Sequence, residues 1–434
     1  MSDRGAEYII SQYKKLIDLD KRISKENKYS NQRERNPYQR DYSRILYSTS
    51  FRRLQGKMQL MSVDSLRFYR NRLTHSLEVS QIARSIAEKM REILKYEELY
   101  QKDMYVIEAC SIAHDIGNPP FGHHGETVLN DLSKSFGGFE GNAQTLRILR
   151  TLEKKLPSER GLNLTIRTQF AVMKYFNPAS SGKKKFIYND DFEFYDELVN
   201  EYGVSPRTLD AQIMDLADEI AYAAHDLEDA LALKLFTLDE FRYEFKHYME
   251  TKSSDETKDK ILLAITKFDE LVKNANEVAV DAQNIHSSEE YSHILRRELI
   301  SNLVNTLVTD IGIVESNEKF RSDTGSKNDY EVNFLNYKEL ANGLKKFTFI
   351  CINRQNNVLV YEKIGEKVLR ELYQAFIDDK FNSNNMLLPA EFRADTGVSR
   401  ERSVLDYLAG MMDTFAIETH KKYYGSNALE KLYP

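Results

Sequence analysis

The chain has no tryptophan, and among its 434 residues only two cysteines, eight prolines and eighteen glycines occur. Cys110 and Cys351 stand far apart, outside any CxxC or Cys/His spacing. That excludes a disulfide scaffold and a thiolate zinc site, and it suits a reducing, cytoplasmic setting. No apolar run approaches the ~20 residues that span a bilayer, and the opening MSDRGAEYII has no apolar h-region, so neither membrane span nor leader is expected. A basic excess is missing too: 61 Lys+Arg against 67 Asp+Glu leave a net charge of -6. This argues against a generally basic nucleic-acid binder, while a local basic groove is still compatible with the average. Scarce proline and glycine, with long segments rich in Leu, Ile, Ala, Glu and Lys, favour an all-α fold.

What the chain does have is a concentration of ligand-type groups in residues 112–126, IAHDIGNPPFGHHGE. His114-Asp115 precede a Gly-Asn-Pro-Pro turn through which no helix can run, because proline lacks the N–H and clashes with the preceding turn. His123, His124 and Glu126 follow it. His123 and Glu126, three apart, share one face of a new helix. The spacing assigns no role to His124.

Other segments frame this one. Residues 1–40 read as a polar N-terminal arm, with an amphipathic stretch from Tyr8 to Leu19 and a basic run from Asn31 to Arg35. In DYSRILYSTSFRRLQGKMQLMSVD, Ile45, Leu46, Phe51, Leu54, Met58 and Leu60 can face a core; Arg44, Arg52, Arg53 and Lys57 would suit a phosphate-rich ligand. Residues 70–95 carry Leu73, Leu77, Ile82, Ile86 and Met90 near the 3.6-residue period, with Arg72 and His75 one turn apart. Residues 104–115 are apolar almost all round, hence a buried helix ending on His-Asp, a pair that burial penalises unless it is paired or binds a metal. Residues 136–153 read as a glycine-rich turn entering a helix, and 162–178 as a helix with Lys174 and Tyr175 in its last turn. Residues 179–206 read as a loop-rich insertion whose Lys183-Lys184-Lys185 cluster is a solvated surface. Residues 209–233 form a long helix with an apolar stripe and a second stripe of Asp215, Asp218, Tyr222, His225 and Asp229. Further helices follow, and FTFICI and VLVYE within 346–363 are the best strand candidates, a small hairpin about Gln355-Asn356-Asn357.

Collected, the ligand-type groups are His75, His114, Asp115 and Asp218. Two imidazoles and two carboxylates leave room for waters in a six-coordinate shell. That suits manganese, magnesium, iron or nickel better than a closed tetrahedral zinc, with zinc kept in the set.

The order H…HD…D, with the flanks SRILYSTSFRRLQGKMQ, NRLTHSLEVSQIAR, AHDIGNPPFGHHGE, FEGNAQTLRIL, MKY, ADEIAYAAHDLED and DYLAGMMD, resembles the HD phosphohydrolase superfamily. More narrowly, it resembles the deoxyguanosine triphosphate triphosphohydrolase branch. The resemblance implies an all-α HD-domain core over 41–235 and a helical C-terminal region over 236–434, with at most a small β-hairpin. It implies hydrolysis of deoxynucleoside triphosphates (dNTPs) to deoxynucleoside and triphosphate, with His75, His114, Asp115 and Asp218 holding a divalent metal. His123 would be the catalytic acid or base, oriented by Glu126. Gln59 would contact the sugar 3′-hydroxyl, and Arg72, Asn142, Lys174 and Tyr175 the triphosphate. Tyr222 would pack on the sugar. Homo-oligomers, tetramer or hexamer, and a dNTP effector are implied as well. Arg402 and Asp406 are expected to reach the base or a neighbouring subunit. The competing reading is a nucleotide-sensing or single-stranded nucleic-acid-binding protein with a secondary HD site, supported only by the basic segments 31–53 and 183–185.

Overall fold

The amphipathic 70–95 segment folds as a helix over Arg72–Leu94. It opens with a capping box between Asn71 and Thr74 and closes on Lys95 in the left-handed region at φ 48°. In the computed structural model, which describes residues 3–24, 35–59, 70–155, 160–282, 287–393, 397–430 and 432, nineteen α-helices are joined by short 3₁₀ and π turns and one two-stranded sheet. The fold is all-α. The Met104–Ala113 helix is apolar on every side and buried from Val106 to Ala113 apart from Glu108. It packs with the Arg72–Leu94 and Leu209–Ala232 helices through Ala83, Ile86, Ile107, Ile112, Ile213 and Ile220, all in one continuous core. Three long helices thus bring their polar residues to one buried spot.

A second core lies beside the first. The Gly122–Ser133 helix contributes Val128 and Leu129, the Asn356–Ile377 helix Val368, Leu369 and Leu372, and the Arg400–Ala409 helix Val404, Leu405 and Leu408. His114 therefore rides on the main core and His123 on the second one, and the Gly117–Phe121 turn crosses between them.

Several expectations change. The Phe-Ile-Val-rich runs expected as a hairpin are two helices, Lys338–Asn353 and Asn356–Ile377, and Gln355 is the N-cap between them. Leu340, Leu344, Phe347 and Cys351 are buried at spacings of four, three and four, so the helical period of the burial overrides β propensity. The sheet instead pairs Ile311–Glu315 with Tyr330–Phe334 antiparallel, Ile313 opposite Val332. The expected 162–178 helix shrinks to Ile166–Ala171, leaving Lys174 and Tyr175 beyond its end. The 179–206 insertion contains a helix, Asn189–Tyr202. In the N-terminal segment the Asp3–Ile17 helix buries Ile9, Tyr13 and Leu16 in the main core, whereas Asn31 to Glu34 and Leu60 lie outside the described residues. Leu77, expected inside, is 45% exposed. Arg402 donates to the Phe136 and Gly138 carbonyls, and Asp406 accepts from Arg147 and Gln144.

Candidate functional site

His75, His114 and Asp218 converge, with one ligand-type atom from each lying within 4.8 Å of the others. His75 Nε2 is 3.0 Å and His114 Nε2 3.3 Å from Asp218 Oδ1. His114 Nδ1 is 2.7 Å from the carbonyl of Ser111, which can only accept, so Nδ1 carries the proton and Nε2 presents a lone pair. That Nε2 is buried and has no hydrogen-bond partner among the described residues. An orphaned imidazole lone pair facing another imidazole and a carboxylate is a donor set that fits a divalent cation. Asp115 stands at the edge of this group, its Oδ1 3.4 Å from His114 Nε2 and its Oδ2 held by Arg72 at 2.6 Å.

The carboxylates are strongly held in the charged form. Burial opposes ionisation of Asp218, but the Lys174 ammonium in direct contact outweighs it and holds its carboxyl well below the usual range. For Asp115, too, burial is overcome and the carboxyl is held low, with the Arg72 guanidinium at 2.6 Å a charge that favours its ionised form. Lys174 contacts Asp218 Oδ2 directly and lies 3.4 Å from Asp215, which Arg207 binds at 2.8 Å. Arg207 in turn reaches Glu331 on the second strand at 2.8 Å. Tyr175, partly buried next to Lys174, has its hydroxyl pushed up to about 12, chiefly by burial.

Beside this group opens a cavity of about 280 Å³ whose wall includes Gln59, Arg72, His123 and Tyr222. Both amide atoms of Gln59 are buried without a hydrogen-bond partner among the described residues, as is Arg72 Nε. Polar atoms left this way at a cavity wall are ready to receive a polar ligand. The Tyr222 ring lies 5.0 Å from that of His75 and 4.7 Å from the Lys345 ammonium. The opposite wall is built by Lys345, Lys346, Phe349 and Glu362 from the two helices read in sequence as strands. No signal but their helical period would have found them.

His123 is the exposed member, 60% by side chain, with its Nδ1 3.3 Å from Glu126 Oε2. Glu126 Oε1 accepts the Gly141 N–H at 3.2 Å and faces Lys185 at 3.4 Å. Burial would raise the Glu126 carboxyl, but the His123 hydrogen bond and the Lys185 charge prevail and hold it at about 2. An ionised carboxylate only accepts, so His123 Nδ1 donates and its Nε2 is left free to exchange a proton. Lys185 also binds Glu140 at 2.7 Å, and Glu140 Oε1 accepts from Asn142 at 2.7 Å. Lys185, expected as solvated surface, therefore belongs to this polar cluster, while Asn142 sits behind Glu140 and off the cavity wall. His124 turns away, 3.4 Å from Glu366, and His225 pairs with Glu78 at 3.0 Å.

The comparisons with known proteins agree with this geometry. The HD domain family matches residues 72–223, and the phosphohydrolase-associated domain family matches residues 336–422. Deoxyguanosinetriphosphate triphosphohydrolase-like protein 2 of Vibrio cholerae serotype O1 is 48% identical over 395 residues, 91% of this chain and 90% of that protein. A deoxyguanosinetriphosphate triphosphohydrolase-like protein of Shewanella sediminis is 33% identical, covering 94% of this chain and 96% of its own length. That of Shewanella pealeana is 32% identical, covering 93% and 95%. No helix among the described residues is long and apolar enough to cross a membrane. With an HD domain spanning the buried histidine-aspartate cluster and an associated domain walling the cavity beside it, the chain belongs to the deoxyguanosinetriphosphate triphosphohydrolase-like family of HD-domain phosphohydrolases.

Proposed function

We propose that the protein hydrolyses deoxynucleoside triphosphates, dGTP or several of them, to deoxynucleoside and inorganic triphosphate, with a divalent ion held by His75, His114, Asp115 and Asp218. The observation that carries this reading is the orphaned His114 Nε2 within the His75/His114/Asp218 group, directly beside a cavity walled by Gln59, Arg72, His123 and Tyr222. A bound divalent ion supplies Lewis-acid polarisation of a phosphoryl oxygen and acidifies coordinated water.

The chain's own residues do the rest. Gln59 offers a sugar hydroxyl a donor and an acceptor that have no partner among the described residues, and the Tyr222 ring gives the sugar a flat wall that disfavours a 2′-hydroxyl. Arg72, 2% exposed, brings its guanidinium to the cavity wall, where a polyanion meets a fixed cation without reorganisation. Hydrolysis at the α-phosphorus adds a hydroxyl to phosphorus and a proton to the sugar O5′. His123 Nε2 takes or gives that proton, and Glu126 holds the ring in the tautomer that allows it. Lys174 and Asn142 act from behind: Lys174 holds the second oxygen of Asp218, and Asn142 holds Glu140 next to Lys185.

Several basic residues that would serve a nucleic-acid-binding reading are engaged within the chain. Arg44 donates to the Leu162 carbonyl at 2.9 Å, Lys183 to Ser322 at 3.0 Å and Lys185 to Glu140. The test is purified protein with each dNTP, singly and in pairs, with Mn²⁺ or Mg²⁺ and product identification. Triphosphate is the expected product; pyrophosphate, or no turnover with any dNTP, overturns the reading. Activation by a second dNTP in the paired assays, and a tetramer or hexamer by light scattering, are expected on the same family grounds. The physiological counterpart is control of cytoplasmic dNTP pools.

A further inference from the structure

Asp413 is wholly buried, yet no part of the hydrolytic chemistry uses it. It is the first residue of the Asp413–Tyr424 helix, in the C-terminal region. Its Oδ2 accepts the backbone N–H of Met58 at 3.1 Å, and its Oδ1 accepts the backbone N–H of Phe121 at 3.1 Å. Met58 immediately precedes Gln59, and Phe121 stands two residues before His123. One carboxylate therefore grips both segments that bring Gln59 and His123 to the cavity wall.

Neighbouring contacts tighten the same junction. The Lys57 ammonium donates to the carbonyl of Asn118, inside the Gly-Asn-Pro-Pro turn, and to that of Ala409 at 2.9 Å. Burial pushes the Lys57 ammonium down to about 7 against the opposing pull of Asp413. A Cβ on Gly56 would lie 2.5 Å from Met412 Sδ, and one on Gly365 would lie 2.5 Å from Phe121 Cγ. Phe121 itself is held at φ 63°, a conformation that a bulky residue adopts only when its surroundings impose it. The third donor to Asp413 is the Tyr361 hydroxyl at 3.2 Å, from the helix that walls the cavity.

We propose that Asp413 is a positioning residue for the hydrolytic site: from the C-terminal region its two oxygens fix the Gln59 segment and the His123 turn relative to one another. The metal group rides on the main core and His123 on the second core, so their separation is not set by either core alone. Asp413 and Lys57 are buried polar links at the junction of the Gln59 segment and the His123 turn. The inference rests on the hydrolytic reading of Gln59 and His123.

Asp413→Asn in the full-length protein is the test. An amide has one acceptor oxygen, so it keeps one of the two N–H groups and turns an NH₂ against the other. With dGTP and Mn²⁺, kcat should fall ~10- to 100-fold and KM rise severalfold, while Mn²⁺ affinity stays within about twofold. In a His123→Ala background the same substitution should lower the residual kcat less than about twofold, because Asp413 acts through His123. Gly365→Ala displaces Phe121 without touching Asp413 and should reproduce the kcat loss, which decides the matter if the asparagine variant does not fold. Amide exchange at Met58 and Phe121 should accelerate at least tenfold in Asp413→Asn. That readout needs no turnover, so it separates failure of the positioning contact from failure of the dNTP reading. Wild-type kcat and KM in both variants, a full multiplicative loss in the His123→Ala background, or unchanged exchange at the two amides would each overturn the proposal.

Discussion

Replacing Glu126 by glutamine isolates the proton-transfer pair, and the structure dictates how the amide must sit. Glu126 Oε1 receives the Gly141 N–H at 3.2 Å and faces the Lys185 ammonium at 3.4 Å, whereas Oε2 receives His123 Nδ1–H at 3.3 Å. A glutamine has one oxygen for these two sides. Pointing its NH₂ at Gly141 N–H and Lys185 would set donors against a donor and a cation, so the oxygen stays there and the NH₂ faces His123. Nδ1 must then accept, the proton moves to Nε2, and the neutral ring can no longer act as a base at the cavity. Losing a positioned acid-base group costs ~10²- to 10⁴-fold, and a wrong tautomer in a serine-protease triad costs about 10⁴-fold. A kcat loss of ~10²- to 10⁴-fold, about 3 to 5 kcal/mol, is therefore expected for Glu126→Gln, with KM within about threefold because Glu126 does not line the cavity. Steady-state kinetics by product analysis between pH 6 and 9 measures it, with Mn²⁺ titration as the control. A variant that keeps kcat within about threefold of wild type across that range would refute the tautomer argument.

Other substitutions read other parts of the site. Asp218→Ala should abolish Mn²⁺ binding by calorimetry and all turnover while circular dichroism stays helical. It should also lower the melting temperature, because Lys174 loses its closest carboxylate in a buried setting, a loss worth about 3 kcal/mol. Gln59→Ala should raise KM roughly tenfold and leave thermal stability unchanged or slightly higher, since the buried amide atoms have no partner among the described residues. The pH dependence of stability follows from Glu126. Its folded pKa of about 2 lies below the usual glutamate value, so its stabilising contribution is full above about pH 4.5 and is lost as pH falls towards 2. Urea melts of wild type and Glu126→Gln should therefore converge by up to about 3 kcal/mol between pH 5 and pH 2, and parallel curves would remove Glu126 from the account.

What was readable in the sequence is what local chemistry encodes. Proline and glycine between His114-Asp115 and His123 force a turn wherever the chain goes, and a helix apolar on all sides must be buried, so its terminal His-Asp needed a partner. The 3.6-residue stripe of 209–233 placed Asp218 and Tyr222 on one line. Long-range placement was not encoded locally. Lys185 lies in a run of three lysines, and only its contacts 45 and 59 residues away with Glu140 and Glu126 distinguish it from its neighbours. The Ile- and Phe-rich stretch 346–352 satisfies strand composition as well as helix periodicity. Burial of Leu340, Leu344, Phe347 and Cys351 settles it in favour of the helix, and that burial is a tertiary fact. Asp413 looked like one more acid on a C-terminal helix until its two N–H partners, 355 and 292 residues away, were in view.

The proposed metal group also accounts for the charges inside this core. Each of its carboxylates divides its oxygens: Asp218 turns Oδ1 to the two imidazoles and Oδ2 to Lys174, and Asp115 turns Oδ1 towards His114 and Oδ2 to Arg72. Two carboxylates and two buried cations cancel, so with neutral imidazoles the group has no net charge before an ion arrives, which limits the burial penalty on the apo fold. A bound divalent ion would add two positive charges to this balance. That surplus faces the cavity through Arg72 and the imidazole group, and a polyphosphate is the ligand that removes it. The same balance predicts that Arg72→Gln, by leaving Asp115 Oδ2 without its cation, strengthens Mn²⁺ binding while weakening dNTP binding. Calorimetric titration of each ligand separately reads the two effects, and a loss of affinity for both would mean that Arg72 serves chiefly to hold Asp115 in place.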